Sequence, residues 1–160
     1  MIKEVLVAII FVFSISFATF SQTDDKKDTL AVVNKMFAEM ANHKPEAIAE
    51  LFTKEAILTA VIKNKDGKSR IVNLTGETFS KNFSEKKNEI KEDMYAPKVE
   101  LFGDLALVWG RYVFFIDNKI SHCGANAFHL ARTDAGWKIV NASTTIEPAG
   151  CTDEEKSRKS

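Results

Sequence analysis

The chain has 160 residues, and its 22 Lys and Arg balance 22 Asp and Glu to a formal net charge of zero. A neutral chain with scattered charges has no electrostatic footprint for nucleic acid or acidic lipid, so neither is expected as a partner. Its length and its 45% hydrophobic content suit one domain with one proper core.

The first segment reads as an export signal. Lys3 precedes residues 5–20, a run of sixteen that is nearly all apolar and ends in small residues. That is the layout of a charged start, an apolar middle and a small-residue cleavage site. The run falls short of the roughly 20 residues that span a bilayer, so a cleaved signal over residues 1–21 is expected rather than a membrane anchor. Cleavage after Ser21 would leave Gln22 as the new terminus, with Ala18 as the alternative cut; Glu4 runs against the positive start. The mature protein is then periplasmic or secreted. Of the two cysteines, Cys123 and Cys151, an even pair in an exported chain reads as one disulfide, with two unrelated thiols as the alternative. Two Cys without CxxC spacing make a poor zinc site, and no metal or cofactor is expected.

Residues 23–28 are polar and read as a flexible lead. A helix follows, capped by Asp28 or Thr29, with Leu30, Val33, Met36, Phe37 and Met40 on one face. It should stop near Asn42 or His43, because the residue before Pro45 is disfavoured in helix. Pro45 opens a shorter helix, where its missing N–H costs nothing, with Ile48, Leu51 and Phe52 on one side. Residues 56–62 and 69–74 read as a hairpin about Asp66-Gly67. A third helical piece begins at Thr75, carries Phe79 and Phe83 at i and i+4, and runs into the charged stretch 85–92. A strand from about Glu89, bulged near Ala96-Pro97, leads through Gly103-Asp104 into the long run 105–146. That run divides into three antiparallel strands at Asp117-Asn118-Lys119 and Thr133-Asp134-Ala135-Gly136. Pro148 and Gly150 end regular structure, and the charged tail 152–160 reads as disordered. The result is an α+β domain over residues 28–151, its helices on one face of an antiparallel sheet.

Strand alternation supplies the candidate pocket. Phe128 and Leu130 set the inward parity of one strand, which brings in His122, Gly124 and Asn126. Trp137 and Ile139 set that of the last, which brings in Asn141 and Ser143. Polar His122, Asn126, Asn141 and Ser143 over an apolar floor of Phe128, Leu130, Trp137 and Ile139 is the composition of a small-molecule site. The strand 105–116 is apolar on both parities, with Tyr112, which is counted among the pocket residues, on one side and Trp109 on the other, so both faces need cover. Helices cover one; a second copy, giving a homodimer, is expected on the other. His43 reads as structural, His129 as exposed or interfacial, and Arg111 as half of a sheet-surface ion pair.

The segments LFTKEAIL at 51–58 and FGDLALVWGRYVFFIDNKISHCGANAFHLARTDAGWKI at 102–139 resemble the nuclear transport factor 2-like superfamily, and within it exported bacterial SnoaL-like members. The resemblance runs from Asp28 to Cys151. It implies a cystatin-like cone, a strongly curved antiparallel sheet with N-terminal helices on its concave face. It also implies that the Gly150-Cys151 segment pairs with His122-Cys123-Gly124. Ketosteroid-isomerase-like members are expected to carry a base carboxylate after the second helix and a Tyr in the first. Here only Glu55 is on offer and the first helix has no Tyr. Neutral Asn126 and Ser143-Thr144-Thr145 stand where relatives carry titratable groups. The expectation is therefore a small-molecule-binding cone without catalysis. The alternatives are an isomerase or cyclase with His122 as base and Asn126 and Asn141 polarising a carbonyl, or an interaction module using the convex sheet face.

Overall fold

The computed structural model describes residues 18–64 and 66–160. Most of the expected signal therefore lies outside the described residues. Six strands form one open sheet in the order β2-β1-β6-β5-β4-β3. They are β1 (Phe52–Lys63), β2 (Ser69–Thr75), β3 (Ile90–Phe102), β4 (Leu105–Ile116), β5 (Lys119–Thr133) and β6 (Gly136–Ile146). The sheet is mixed, not purely antiparallel. The first hairpin joins the far end of the meander through β1, which runs parallel to β6 while every other pair is antiparallel.

Helices α1 (Ala18–Ala41), α2 (Pro45–Ala49) and α3 (Gly76–Lys81) accompany the concave side. Val33, Met36, Phe37 and Met40 of α1 are buried there against Val108, Phe128, Leu130 and Ile139, and Phe37 meets Phe128 edge-on at 5.9 Å. The helix starts earlier than its apolar pattern suggests. Residues 23–28 are helical rather than a loose lead. Thr29 is interior, fully buried, and returns its hydroxyl to the Lys26 carbonyl instead of capping. No Gly or Pro interrupts that polar stretch, and Asp25 pairs with Arg132 of β5, which anchors the extra turns. The helix ends as expected, with His43 left-handed at φ 55° just before Pro45.

The turns also follow their residues. Asp117 and Asn118 both take positive φ, 49° and 61°, the twist that a two-residue hairpin turn requires. Ala96 is left-handed at φ 45° where the β3–β4 register shifts between Tyr95 and Lys98. This is the bulge expected beside Pro97, and it reverses side-chain parity along β3.

The tail is ordered, which corrects the expectation of a disordered 152–160. It forms a short helix α4 (Asp153–Lys156) with a full capping box between Thr152 and Glu155, and Glu155 is completely buried. The high charge of the segment pointed to solvent. The one residue that decides its fate is a carboxylate with basic and hydroxyl partners waiting on the sheet.

Candidate functional site

Three concave-face positions expected in the pocket do meet. Tyr112 of β4 lies opposite Gly124, and its ring stands edge-on to His122 with centroids 5.7 Å apart. His122 also stacks on Phe114 at 4.9 Å and 16°. Asn126 is 5% exposed on the same face. Gly124 is required here, because any Cβ would collide with the Thr145 backbone and come 2.8 Å from the Tyr112 ring.

Asn141 and Ser143 are elsewhere, and this corrects the alternation argument. Leu130 pairs with Ile139, but the next residue, His129, pairs with Asn141. Val140 is therefore an extra residue in β6, a bulge that moves every later side chain to the other face. Asn141 and Ser143 become exposed on the convex side, while Ala142 is buried and Thr144 turns inward. Phe128 and Trp137 are 3% and 6% exposed. They are core, buried in one cluster with Val33, Met36, Phe37 and Met40 of α1.

Two residues complete the cluster that alternation alone did not reach. Thr144 donates to the Tyr112 hydroxyl at 3.3 Å, and Tyr112 in turn donates to the Thr145 carbonyl at 2.8 Å. Glu92 of β3 accepts a 2.6 Å hydrogen bond from Asn126 Nδ2. Glu92 looked like the last member of a charged run. Counted back across the bulge at Ala96, however, Ile90, Glu92 and Met94 share the concave face with Val99 and Leu101. The signal was present in the Ala96-Pro97 dipeptide.

Burial sets the electrostatics. The Glu92 residue as a whole is only half-buried, yet its carboxyl group sits deep, and burial pushes it up to about 7 against the opposing pull of the Asn126 amide. At neutral pH it is therefore poised to give or take a proton. Burial lowers His122, whose Nδ1 lies 3.2 Å from the Ser121 hydroxyl, so it is a neutral imidazole. Burial raises Tyr112, and Thr144 opposes the shift; its hydroxyl remains a donor. Beside these groups on the same face Ile90, Met94 and Phe114 are partly buried apolar side chains packed on the core. Glu92 also lines a cleft of about 260 Å³ between α1 and β3, together with Asn34, Ala38 and Ala41.

The convex face divides in two. At one end Val113, Phe115 and Cys123 are buried with Tyr95, Ile120 and Cys151 under the C-terminal segment. The Cys123–Cys151 disulfide is formed, with Cα atoms 5.2 Å apart, and Arg111 pairs with Glu155. The other end is an open, apolar groove of about 400 Å³ lined by Val61, Leu107, Trp109, Ala125, Ala127 and Ser143 among others.

No protein-family model and no curated protein sequence matches the chain. Solved structures do. A nuclear transport factor 2-like protein with a cystatin-like fold from Novosphingobium aromaticivorans is 13% identical, with TM-score 0.66 over 86% of this chain and 90% of that one. A nuclear transport factor 2-like superfamily protein from Salmonella enterica is 16% identical, with TM-score 0.63 over 83% and 98%. A candidate dehydratase of the same family from Streptomyces avermitilis is 14% identical, with TM-score 0.62 over 78% and 97%. With helices α1, α2 and α3 on one face of an open, six-stranded mixed sheet, the chain has the cystatin-like fold of the nuclear transport factor 2-like proteins.

Proposed function

We propose that the cone binds a small, largely apolar molecule that carries one or two hydrogen-bonding atoms. The observation that carries this reading is the cluster of Glu92, Tyr112, His122, Asn126 and Thr144 on the concave face, beside the half-buried apolar side chains of Ile90, Met94 and Phe114. Apolar walls with a few convergent polar groups give affinity through burial and orientation through hydrogen bonds. Asn126 is central, because its amide already spends one N–H on Glu92 and keeps further hydrogen-bonding capacity for a ligand. The test is a thermal-shift panel of neutral aromatic, terpenoid and steroid alcohols and ketones on wild type and Asn126→Leu. Hits are expected to raise the wild-type midpoint and not that of the variant. Equal shifts in both would remove Asn126 from the site.

A second reading is favoured by one observation, the Glu92 carboxyl that burial pushes up to about 7. The binding-only expectation rested on the absence of an inward carboxylate, and Glu92 supplies one. In this reading Glu92 removes a proton from a carbon next to a carbonyl, Asn126 holds the carboxylate, and His122 shapes the wall rather than acting as base. Solved structures of this fold include the candidate dehydratase above and a candidate aromatic ring hydroxylase from Novosphingobium aromaticivorans. Solvent-deuterium incorporation into an enolisable ketone should rise as pH passes through about 7 and vanish in Glu92→Gln. Incorporation that survives in that variant would refute the role.

The disulfide supports export of the mature chain to an oxidising compartment, periplasmic or secreted. The open half of the convex face, with Trp109 37% exposed, supports a homodimer through the sheet. Sedimentation as a monomer at micromolar concentration would contradict that pairing.

A further inference from the structure

The end of the chain carries chemistry that the cone does not use. After β6, Glu147 makes a single bridge to Cys123, and Cys151 then closes the disulfide onto that fully buried cysteine. Directly beyond the bond, Glu155 is seated in a socket on the convex face. It accepts from Arg111 Nε at 2.6 Å and Nη2 at 3.1 Å, from the Tyr95 hydroxyl at 2.5 Å and from the Thr152 N–H at 2.7 Å. Arg158 adds an ion pair to Asp93 at 3.0 Å and lies 3.7 Å from the Tyr95 ring centroid. Cys151 of this segment packs with buried Val113, Phe115 and Cys123, beside Tyr95 and Ile120.

Two kinds of restraint hold the segment down, and they are unequal. A helix of four residues has no stability of its own, so Glu155 must be held close to its socket for the polar contacts to form. The disulfide, four residues away, sets that local concentration. It is also reachable from solvent on one side. Cys151 is half-buried while Cys123 is closed off, so a thiolate would attack the Cys151 sulfur and expel the Cys123 thiolate.

We propose that residues 147–158 form a redox-releasable strap: reduction of Cys123–Cys151 lets Glu155 leave Arg111 and uncovers the Val113, Phe115 and Ile120 surface. The reductant is a dithiol. It supplies two electrons and two protons, the S–S bond becomes two thiols, and the dithiol closes to its own disulfide. Arg111 neighbours Trp109 on the same face of β4, so release merges the newly bared surface with the open groove at Leu107 and Trp109. The extent of the convex apolar face, and with it the surface offered to another chain, then depends on the redox state of the compartment.

The test is hydrogen exchange of the folded chain at neutral pH, oxidised and with dithiothreitol, beside Cys151→Ser without reductant. Tail amides in 147–160 are expected to exchange at least about tenfold faster in both the reduced protein and the variant. Binding of the dye anilinonaphthalene sulfonate should rise, and β1 and β6 should stay protected. Glu155→Ala, with the disulfide intact, should loosen 152–158 without raising dye binding as far. Tail protection unchanged in Cys151→Ser would overturn the proposal, because the polar socket would then suffice. Loss of protection across the whole sheet would also overturn it, because the bond would then hold the fold and not a strap.

Discussion

Glu92 concentrates the account at the scale of single residues. Its carboxyl is raised from an ordinary 4.5 to about 7 by burial. A group raised in this way contributes stability that is fully present below its unfolded value and is lost as pH rises through the folded one. The protein should therefore weaken between about pH 4.5 and 7. Glu92→Gln, which keeps an acceptor for Asn126 without the charge, should abolish that part of the slope and stabilise at pH 8.5 by on the order of 2 kcal/mol. Urea midpoints at pH 5 and pH 8.5 check this, and a variant as pH-sensitive as wild type would show that the carboxyl is well solvated. Tyr112, His122 and Asn126 were legible from strand parity because no irregularity lies between them and Phe128. Asn141 and Ser143 were misplaced because one extra residue, Val140, intervenes, and nothing in the local composition announces it. Glu92 is hidden for a related reason: the bulge at Ala96-Pro97 is visible in the sequence, and it reverses the parity of every earlier residue in β3 relative to Val99 and Leu101.

At the scale of elements, the hairpins, the helix stop before Pro45 and the β3 bulge all followed from turn chemistry. The tail did not, because its order depends on a socket built by β3 and β4. Glu155 tests that dependence. Burial alone would raise its carboxyl, but the Arg111 and Tyr95 hydrogen bonds and the Thr152 N–H outweigh burial and hold it at about 2. A depressed carboxyl contributes stability present above its unfolded value of 4.5 and lost as pH falls toward 2. Glu155→Ala should cost about 1–3 kcal/mol at pH 7, toward the low end because the Arg111 side chain is 39% exposed and water can solvate it once unpaired. Chemical denaturation at pH 7 and pH 2.5 checks both statements. The cost should shrink at the lower pH, and a cost equal at both would assign it to packing.

At the scale of the molecule, the fold was largely legible. The order of helices, first hairpin and long meander leaves few ways to bury an apolar helix face on one sheet. The parallel β1–β6 contact was not, since it joins segments from opposite ends of the domain and no local pattern encodes it. The disulfide closes a sequence separation of 28 residues, worth about 3–4 kcal/mol in the chain-entropy model. Cys123→Ser with Cys151→Ser should lower stability by about that amount while leaving the cone assembled. Near-ultraviolet dichroism that collapses in the double variant would mean the bond holds the core as well.

The central claim is that the polar cluster around Asn126 organises a ligand site. Its most direct test is native mass spectrometry of the mature protein purified from its own host, beside Asn126→Leu prepared in the same way. Wild type is expected to retain an adduct on the order of a few hundred daltons, and the variant to lose it with its fold and disulfide intact. A bare wild-type protein, or an adduct that survives in Asn126→Leu, would contradict the account.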